Sequence, residues 1–375
     1  MSGKSSLPSR QAATKAFVDP FRIDSARQFH LAGHPTADRG GIDKDAGKDI
    51  IEANRERLQD LQETLYAQDR WSLLLIFQGM DAAGKDSAIK SVFEGVNPQG
   101  CEVTSFKQPS STELDHDFMW RHTIHLPQRG RIGIFNRSYY EECLVVRVHK
   151  DVLAKQKLPE SLVTDKIWRE RFEDITAFEK YLTRNGTVVL KFFLNISKEE
   201  QRKRFLDRLD EPAKNWKFSM ADVIERGYWD KYQAAYQDMI AHTATKHAPW
   251  IVVPADHKWF ARVVIGSAIV DALEKLDLKV PRVDAESLKE FAEARTALER
   301  ENDGKQAAVK KSEKARGNGA SEKQAAEKPG AQKAVVAEKT TVRKELAAKG
   351  AAAKLAKKPR SRKPINGLHR NDVID

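Results

Sequence analysis

An apolar run, Ser72–Phe77, leads through Gln78 into Gly79-Met80-Asp81-Ala82-Ala83-Gly84-Lys85-Asp86, and this stretch constrains the chain more than any other. It reads as strand, glycine-rich turn and helix start. The spacing G-x-x-x-x-G-K is that of a phosphate-binding P-loop. One position departs from that pattern: Asp86 stands where a Ser or Thr normally follows the lysine.

Such a loop binds anions for simple reasons. The first N–H groups of a helix have no intrahelical partner and point outward, and the helix dipole favours negative charge beside them. Gly79 and Gly84 permit turns and close approaches that a side chain forbids. The backbone of Ala82 and Ala83 lies between them, and Lys85 adds a point charge for phosphate. With no hydroxyl after the lysine, a metal's waters fall to Asp86, or the metal falls to Asp81 inside the loop. A carboxylate there repels phosphate unless a cation intervenes, so Asp81 points to Mg²⁺. The alternative is an Asp that only stabilises the turn.

The sequence has 375 residues and a net charge of +11, but the charge is unevenly placed. From Arg300 onward 20 Lys and Arg stand against 9 Asp and Glu, while the first 299 residues are balanced, 45 against 45. A neutral body does not look like a dedicated nucleic-acid binder. Two cysteines, Cys101 and Cys143, make no disulfide framework. No apolar segment is long enough for a membrane span, and the N-terminus has no secretory h-region. A cytoplasmic protein without a membrane partner is expected.

Helix and strand patterns alternate along residues 46–285. Helices are expected over 49–70, 85–94, 112–126, 138–148, 161–184, 198–210, 220–246 and 259–275, and strands over 72–77, 101–106, 131–135, 187–194 and 250–253. The helix at 112 is expected to open on a near capping box of Thr112 and Asp115. This alternation predicts an α/β fold, three layers deep, with a parallel sheet covered on both faces. Residues 1–45 read as an N-terminal extension draped on the body. From 286 the chain becomes a low-complexity Ala/Lys-rich basic tail, with a helical extension over 286–301 and disorder expected beyond it. Transient Ala/Lys helix is the alternative to disorder there.

Ligands of open α/β sheets bind beyond the C-terminal strand ends. Besides the glycine loop, three groups fall there. Lys107 and Arg121 follow the second strand and form an anion grip, unless Lys107 is merely solvated and Arg121 pairs with Asp117 at helical spacing. Asn136, Arg137 and Glu141 follow the third strand. Asn136 stands where a metal-organising carboxylate is usual, Arg137 is placed to face a transferring phosphoryl, and Glu141 lies one turn on. A capping Asn beside surface charges is the competing reading. The basic helix with Arg202 and Arg208, over about 197–220, suits either a mobile phosphate lid or an ordinary solvated face. His122, His125 and His149 lack zinc-site spacing, and Trp229, Tyr232 and Tyr236 recur as core positions do.

Taken together, these motifs resemble the polyphosphate kinase 2 family. The resemblance is carried by Gly79–Asp86, Gly95-Val96-Asn97-Pro98-Gln99-Gly100, Glu113–Phe118, Arg131–Glu142 and Trp216-Lys217-Phe218-Ser219, over about residues 20–280. It implies a thymidylate-kinase-like P-loop fold with a helical lid. It implies Mg²⁺-dependent phosphoryl transfer, with Mn²⁺ as a substitute, between inorganic polyphosphate and nucleotides: AMP to ADP, ADP to ATP, and GDP as a further acceptor. Asp81 and Lys85 match the first phosphate motif, and Asn136-Arg137 match the second, where many members carry Asp. Asn136 with Glu141 is similar to the class III branch. Lys107, Arg121 and Arg137 match phosphate contacts, and Asp81 with Glu141 is the implied metal pair. A homo-oligomer is expected. Two rival functions stand beside this one: an ATP-dependent nucleoside-monophosphate kinase, and a polyanion-binding protein acting through its basic tail.

Overall fold

The computed structural model describes residues 10–25 and 29–317. The chain divides into two compact units, meeting at Arg282 and Val283. In the first, the described residues form six strands: β1 (Arg22–Ile23), β2 (Ser72–Gln78), β3 (Cys101–Ser105), β4 (Ile132–Asn136), β5 (Thr187–Asn195) and β6 (Trp250–Pro254). Their order across the sheet is β1-β6-β5-β2-β4-β3. β2 to β6 pair in parallel, and β1 adds an antiparallel edge against β6. This is the expected α/β fold of three layers around a parallel sheet, with one strand more than the pattern predicts.

The strands form where apolar runs meet sheet geometry. Leu73 to Phe77 are fully buried, as a central parallel strand covered on both faces must be. Helix Lys44–Gln68 packs on helix Lys258–Glu274, and helix Ile167–Arg184 packs on helix Trp229–Thr243. Helix Lys44–Gln68 starts where the Asp43 carboxylate accepts from the N–H groups of Asp45 and Ala46, and it stops at Asp69, whose φ is +50°. Among the described residues no helix is long and apolar enough to cross a membrane.

Three expectations are corrected. The 112–126 helix is two short pieces, Ser111–Leu114 and Trp120–Thr123, and the capping box is Ser110 with Glu113 rather than Thr112 with Asp115. The 138–148 helix begins as a 3₁₀ turn, Tyr139–Cys143, and only then becomes Val145–Val148. The 220–246 helix breaks at Gly227-Tyr228 into Met220–Arg226 and Trp229–Thr243. In each case tertiary packing overrides local periodicity.

The N-terminal segment is more than a drape. Phe17, Val18, Phe21, Phe29 and Leu31 are buried in the core, and β1 completes the sheet. In the second unit, helix Ala285–Gly317 runs past Glu301 into residues expected to be disordered, consistent with their Ala, Lys and Glu content. The tail disorder expected over 318–375 lies outside the described residues.

Candidate active site

β2 carries the glycine loop at its C-terminal end and lies between β5 and β4. The register sets Phe77 beside Asn136 and Gln78 beside Phe193. The ends of three strands therefore open on one crevice, where open α/β sheets bind their ligands. The loop needs unusual backbone. Gly84 has φ +105° and caps helix Lys85–Val92; Gly79 has φ +154°, and a Cβ there would stand 3.0 Å from the Leu194 carbonyl oxygen. Ala82, at φ +61°, and Arg137, at φ +65°, hold the left-handed region without being glycine. Strain of this kind concentrates at functional sites.

The crevice encloses a cavity of about 170 Å³. Asp81 and Gly79 line it from the loop, and Arg137 and Glu141 from the segment after β4. The far wall holds Gln201, then Asp222, Glu225 and Arg226, then Tyr232 and Tyr236. Arg137 Nη2 donates to Asp81 Oδ1 at 3.0 Å, with both side chains partly open to solvent. Lys85 is buried beneath the loop, and its Nζ donates to the carbonyl oxygens of Gly79 (2.6 Å) and Met80 (3.4 Å). The Gln78 amide is assigned so that its nitrogen donates to Glu141 Oε1 at 2.8 Å while its oxygen accepts from the Ser138 N–H and hydroxyl.

These groups perturb one another. Desolvation, followed by the charge of Arg137, pulls the Lys85 ammonium below its ordinary pKa. Desolvation pushes the Glu141 carboxyl up, against the pull of Arg137 and Lys85. Glu141 in turn, ahead of Asp81, holds Arg137 in its charged form. Desolvation and the nearby Asp81 raise Asp222. Mutually perturbed carboxylates and cations in a cleft are what sites handling charged substrates display.

The other expected residues fall as follows. Asp86 is exposed, and its Oδ1 accepts from the Asn136 amide at 2.6 Å, so these two partner each other beside the cavity. Lys107 is exposed, and its carbonyl accepts from Arg121 Nη2 at 2.7 Å. Arg121 is buried over the Phe106 ring and faces Glu113, not Asp117, whose carboxylate caps Met119 N–H. It lines a second, smaller cavity of about 80 Å³ with Phe118, Glu142 and Arg171. Arg202 is exposed, and Arg208 pairs with Asp222 at 3.6 Å. The expected core residues Tyr232 and Tyr236 are buried and also form the cavity wall.

Two residues of the basic helix hold the loop in ways its sequence does not single out: Arg204, one of several arginines there, and Gln201. Arg204, only 4% exposed, donates to the carbonyls of Ala82 and Ala83 in the loop and of Ala255 and Asp256 after β6. Gln201 donates to the Asp81 carbonyl and accepts from Arg226. Their only sequence signal was the helical spacing of Gln201, Arg204 and Phe205, the buried face of that helix.

Residues 41–281 match the polyphosphate kinase 2 family. The chain belongs to that family. It is accordingly a kinase-type phosphotransferase. Among its relatives is the ADP-polyphosphate phosphotransferase of Rhodopseudomonas palustris, 48% identical over 280 residues, which are 74% of this chain and 97% of that protein. The AMP/ADP-polyphosphate phosphotransferase of Meiothermus ruber is 40% identical over 271 residues, 72% of this chain and 97% of that protein. The crystal structure of polyphosphate kinase 2 from Arthrobacter aurescens superposes with a TM-score of 0.67 at 38% identity, covering 73% of this chain and 95% of that one.

The donor set suits a hard cation: the cavity offers carboxylate oxygens and no thiolate or imidazole. Among the described residues no three His, Cys, Asp or Glu cluster closely enough to hold a metal by themselves. One or two carboxylates completed by substrate phosphates is the usual way Mg²⁺ is bound, and Asp81 and Glu141 fit that role.

Proposed function

We propose that this member of the family transfers phosphoryl groups between inorganic polyphosphate and the adenine nucleotides AMP and ADP, with GDP as a further acceptor, on a thymidylate-kinase-like P-loop fold whose lid spans about 197–220. The observation that carries the reading is the cavity lined together by Asp81, Arg137 and Glu141, with Lys85 buried beneath the loop. The names of the relatives, which act on polyphosphate with ADP or with AMP and ADP, support the substrate pair.

Phosphoryl transfer asks for alignment and charge neutralisation rather than a covalent intermediate. The loop N–H groups and Lys85 hold the phosphate chain of the donor. Arg137 meets the charge that spreads over the transferring phosphoryl. An oxygen of the nucleotide's terminal phosphate attacks in line, the P–O bond to the rest of the polyphosphate breaks, and the shortened chain leaves with the bond electrons. Asp81 and Glu141 would hold Mg²⁺, which when bound neutralises phosphate oxygens and so removes the repulsion between donor and acceptor. A cation there also favours the ionised form of Glu141, which burial alone disfavours.

AMP or ADP incubated with polyphosphate and Mg²⁺, without ATP, tests the reading by separation of products. ADP or ATP should form, and GDP in place of ADP measures base tolerance. No product from polyphosphate, with turnover only when ATP is donor, would overturn it in favour of a nucleoside-monophosphate kinase.

A further inference from the structure

A second group of charges lies outside the cavity, in the core. Lys191, at the middle of β5, and Glu179, on helix Ile167–Arg184, have side chains with no exposure at all. Lys191 Nζ donates to Glu179 Oε2 at 2.6 Å, to the Thr243 carbonyl at 2.8 Å and to the Tyr140 hydroxyl at 3.0 Å, so each of its protons has an acceptor. Glu179 Oε1 accepts from the hydroxyls of Tyr139 (3.0 Å) and Tyr140 (2.8 Å). The rings of Trp250 and Tyr140 flank the ammonium at 5.1 and 5.4 Å.

Such a pair is a poor device for stability. Removing two charges from water is costly, and well-packed apolar residues often do as well or better. Its geometry shows another use. Tyr139 and Tyr140 immediately precede Glu141, and Arg137 lies two residues before Tyr139. The Thr243 carbonyl ends the helix that carries Tyr232 and Tyr236. One buried ion pair therefore ties down both walls of the cavity.

We propose that Glu179 and Lys191 are positioning residues: through the hydroxyls of Tyr139 and Tyr140 they fix the 3₁₀ turn that presents Glu141 and Arg137 to the substrate. The inference rests on the phosphotransfer reading for its effect on turnover, but the anchoring is a property of the fold. The turn has other ties: Gln78 holds Ser138 and the Glu141 carboxylate, the Ser138 hydroxyl accepts from the Tyr140 N–H, and Arg171 donates to the Glu142 carbonyl, but the Tyr139 and Tyr140 hydroxyls are its bonds to the buried ion pair. Arg137 sits at a positive φ, held by its own N–H to the Phe77 carbonyl, and the Glu141 N–H reaches only back to Ser138. Displacement of a reacting group by about 1 Å costs up to roughly 100-fold in rate, so each bond that fixes this turn bears on turnover.

The test pairs Tyr139→Phe/Tyr140→Phe with Glu141→Gln. The Tyr pair should lower kcat on the order of 10-fold or more with KM for nucleotide and polyphosphate little changed. Adding Glu141→Gln to it should then cost much less than the same change costs the unaltered enzyme, because a misplaced carboxylate has little left to lose. Amide hydrogen exchange at Arg137 and Glu141 should quicken in the Tyr variant while that of β2 and β5 stays slow. If the double Tyr variant does not fold, Tyr139→Phe alone, which keeps the Tyr140 bonds, gives the same readouts at smaller size. Unchanged kcat, full additivity with Glu141→Gln, or unchanged exchange at the turn would each overturn the proposal. The exchange measurement judges the anchoring even in a protein that shows no polyphosphate turnover, an outcome that instead removes the phosphotransfer reading.

Discussion

Arg137 and Arg204 flank the same glycine loop and are treated in opposite ways. Arg204 is almost wholly buried, and its guanidinium donates to four backbone carbonyls and to Glu200. Nothing in that arrangement is left for a ligand. Arg137 keeps a side chain 40% exposed, pairs with Asp81 and leans into the cavity from a left-handed backbone. A guanidinium whose donors are all taken by the protein sets a shape; one with donors to spare acts on what enters. The same division separates Lys191, saturated in the core, from Lys85, which lies under the loop where phosphate is proposed to bind.

The largest effects should come from the cavity side. Lys85→Ala, Asp81→Ala and Arg137→Ala are each expected to lower turnover by roughly 10³-fold or more with melting temperatures close to the parent, read by product formation and by thermal unfolding. Full turnover in a folded variant removes that residue from the site. Arg204 should invert the pattern. Arg204→Ala orphans the Ala82, Ala83, Ala255 and Asp256 carbonyls and should cost roughly 3 kcal/mol of stability, with activity lost because the loop is no longer held. A stable, inactive Arg204→Ala enzyme would mean that Arg204 belongs with Arg137 after all.

Next in size is a pH effect from the same distinction. His122 is buried against Phe106, Phe135 and Tyr139, and desolvation, followed by the charge of Arg121, lowers its pKa to about 3. The unfolded chain binds this proton from pH 6.5 downward, while the folded chain resists it to about 3. Its contribution to stability is therefore complete above pH 6.5 and lost as pH falls through that window, by up to about 1.4 kcal/mol per pH unit. Unfolding measured from pH 7 to 4 should show a steeper fall for the parent than for His122→Gln. Parallel curves would remove the histidine as the cause. The smallest effects belong to the outer arginines. Arg208→Ala breaks a partly exposed pair with Asp222 and should change stability by about 1 kcal/mol or less, with a salt-sensitive rise in KM for polyphosphate. Arg202→Ala should do less still.

Local chemistry explains why some of this was legible in the residues. The glycine spacing, the Lys85 that follows it and the apolar run before it are features of consecutive residues, so the loop, β2 and the helix after it stand where expected. Asn136-Arg137 was readable for the same reason, because it closes another short apolar run. Arg121 and Arg204 were not. Both are arginines on helices, and nothing in their immediate neighbours says whether a guanidinium turns outward or reaches a carbonyl many residues away. Exposed Arg202 and buried Arg204 differ only in which face of one helix they occupy.

By itself, then, the amino-acid sequence determined the alternation of strands and helices, the phosphate-type loop and the family to which the chain belongs, because these follow from periodicity, turn chemistry and motif spacing along the chain. The tertiary structure alone decided which charges meet. It set Arg204 into the loop carbonyls, gave Arg121 to Lys107 and Glu113, made Tyr232 and Tyr236 a cavity wall, and buried Glu179 with Lys191 beneath the turn that bears Glu141. The physical reason is that an ion pair or hydrogen bond is fixed by distances of about 3 Å between elements far apart in the chain, and those distances exist only once the sheet has brought its strand ends together.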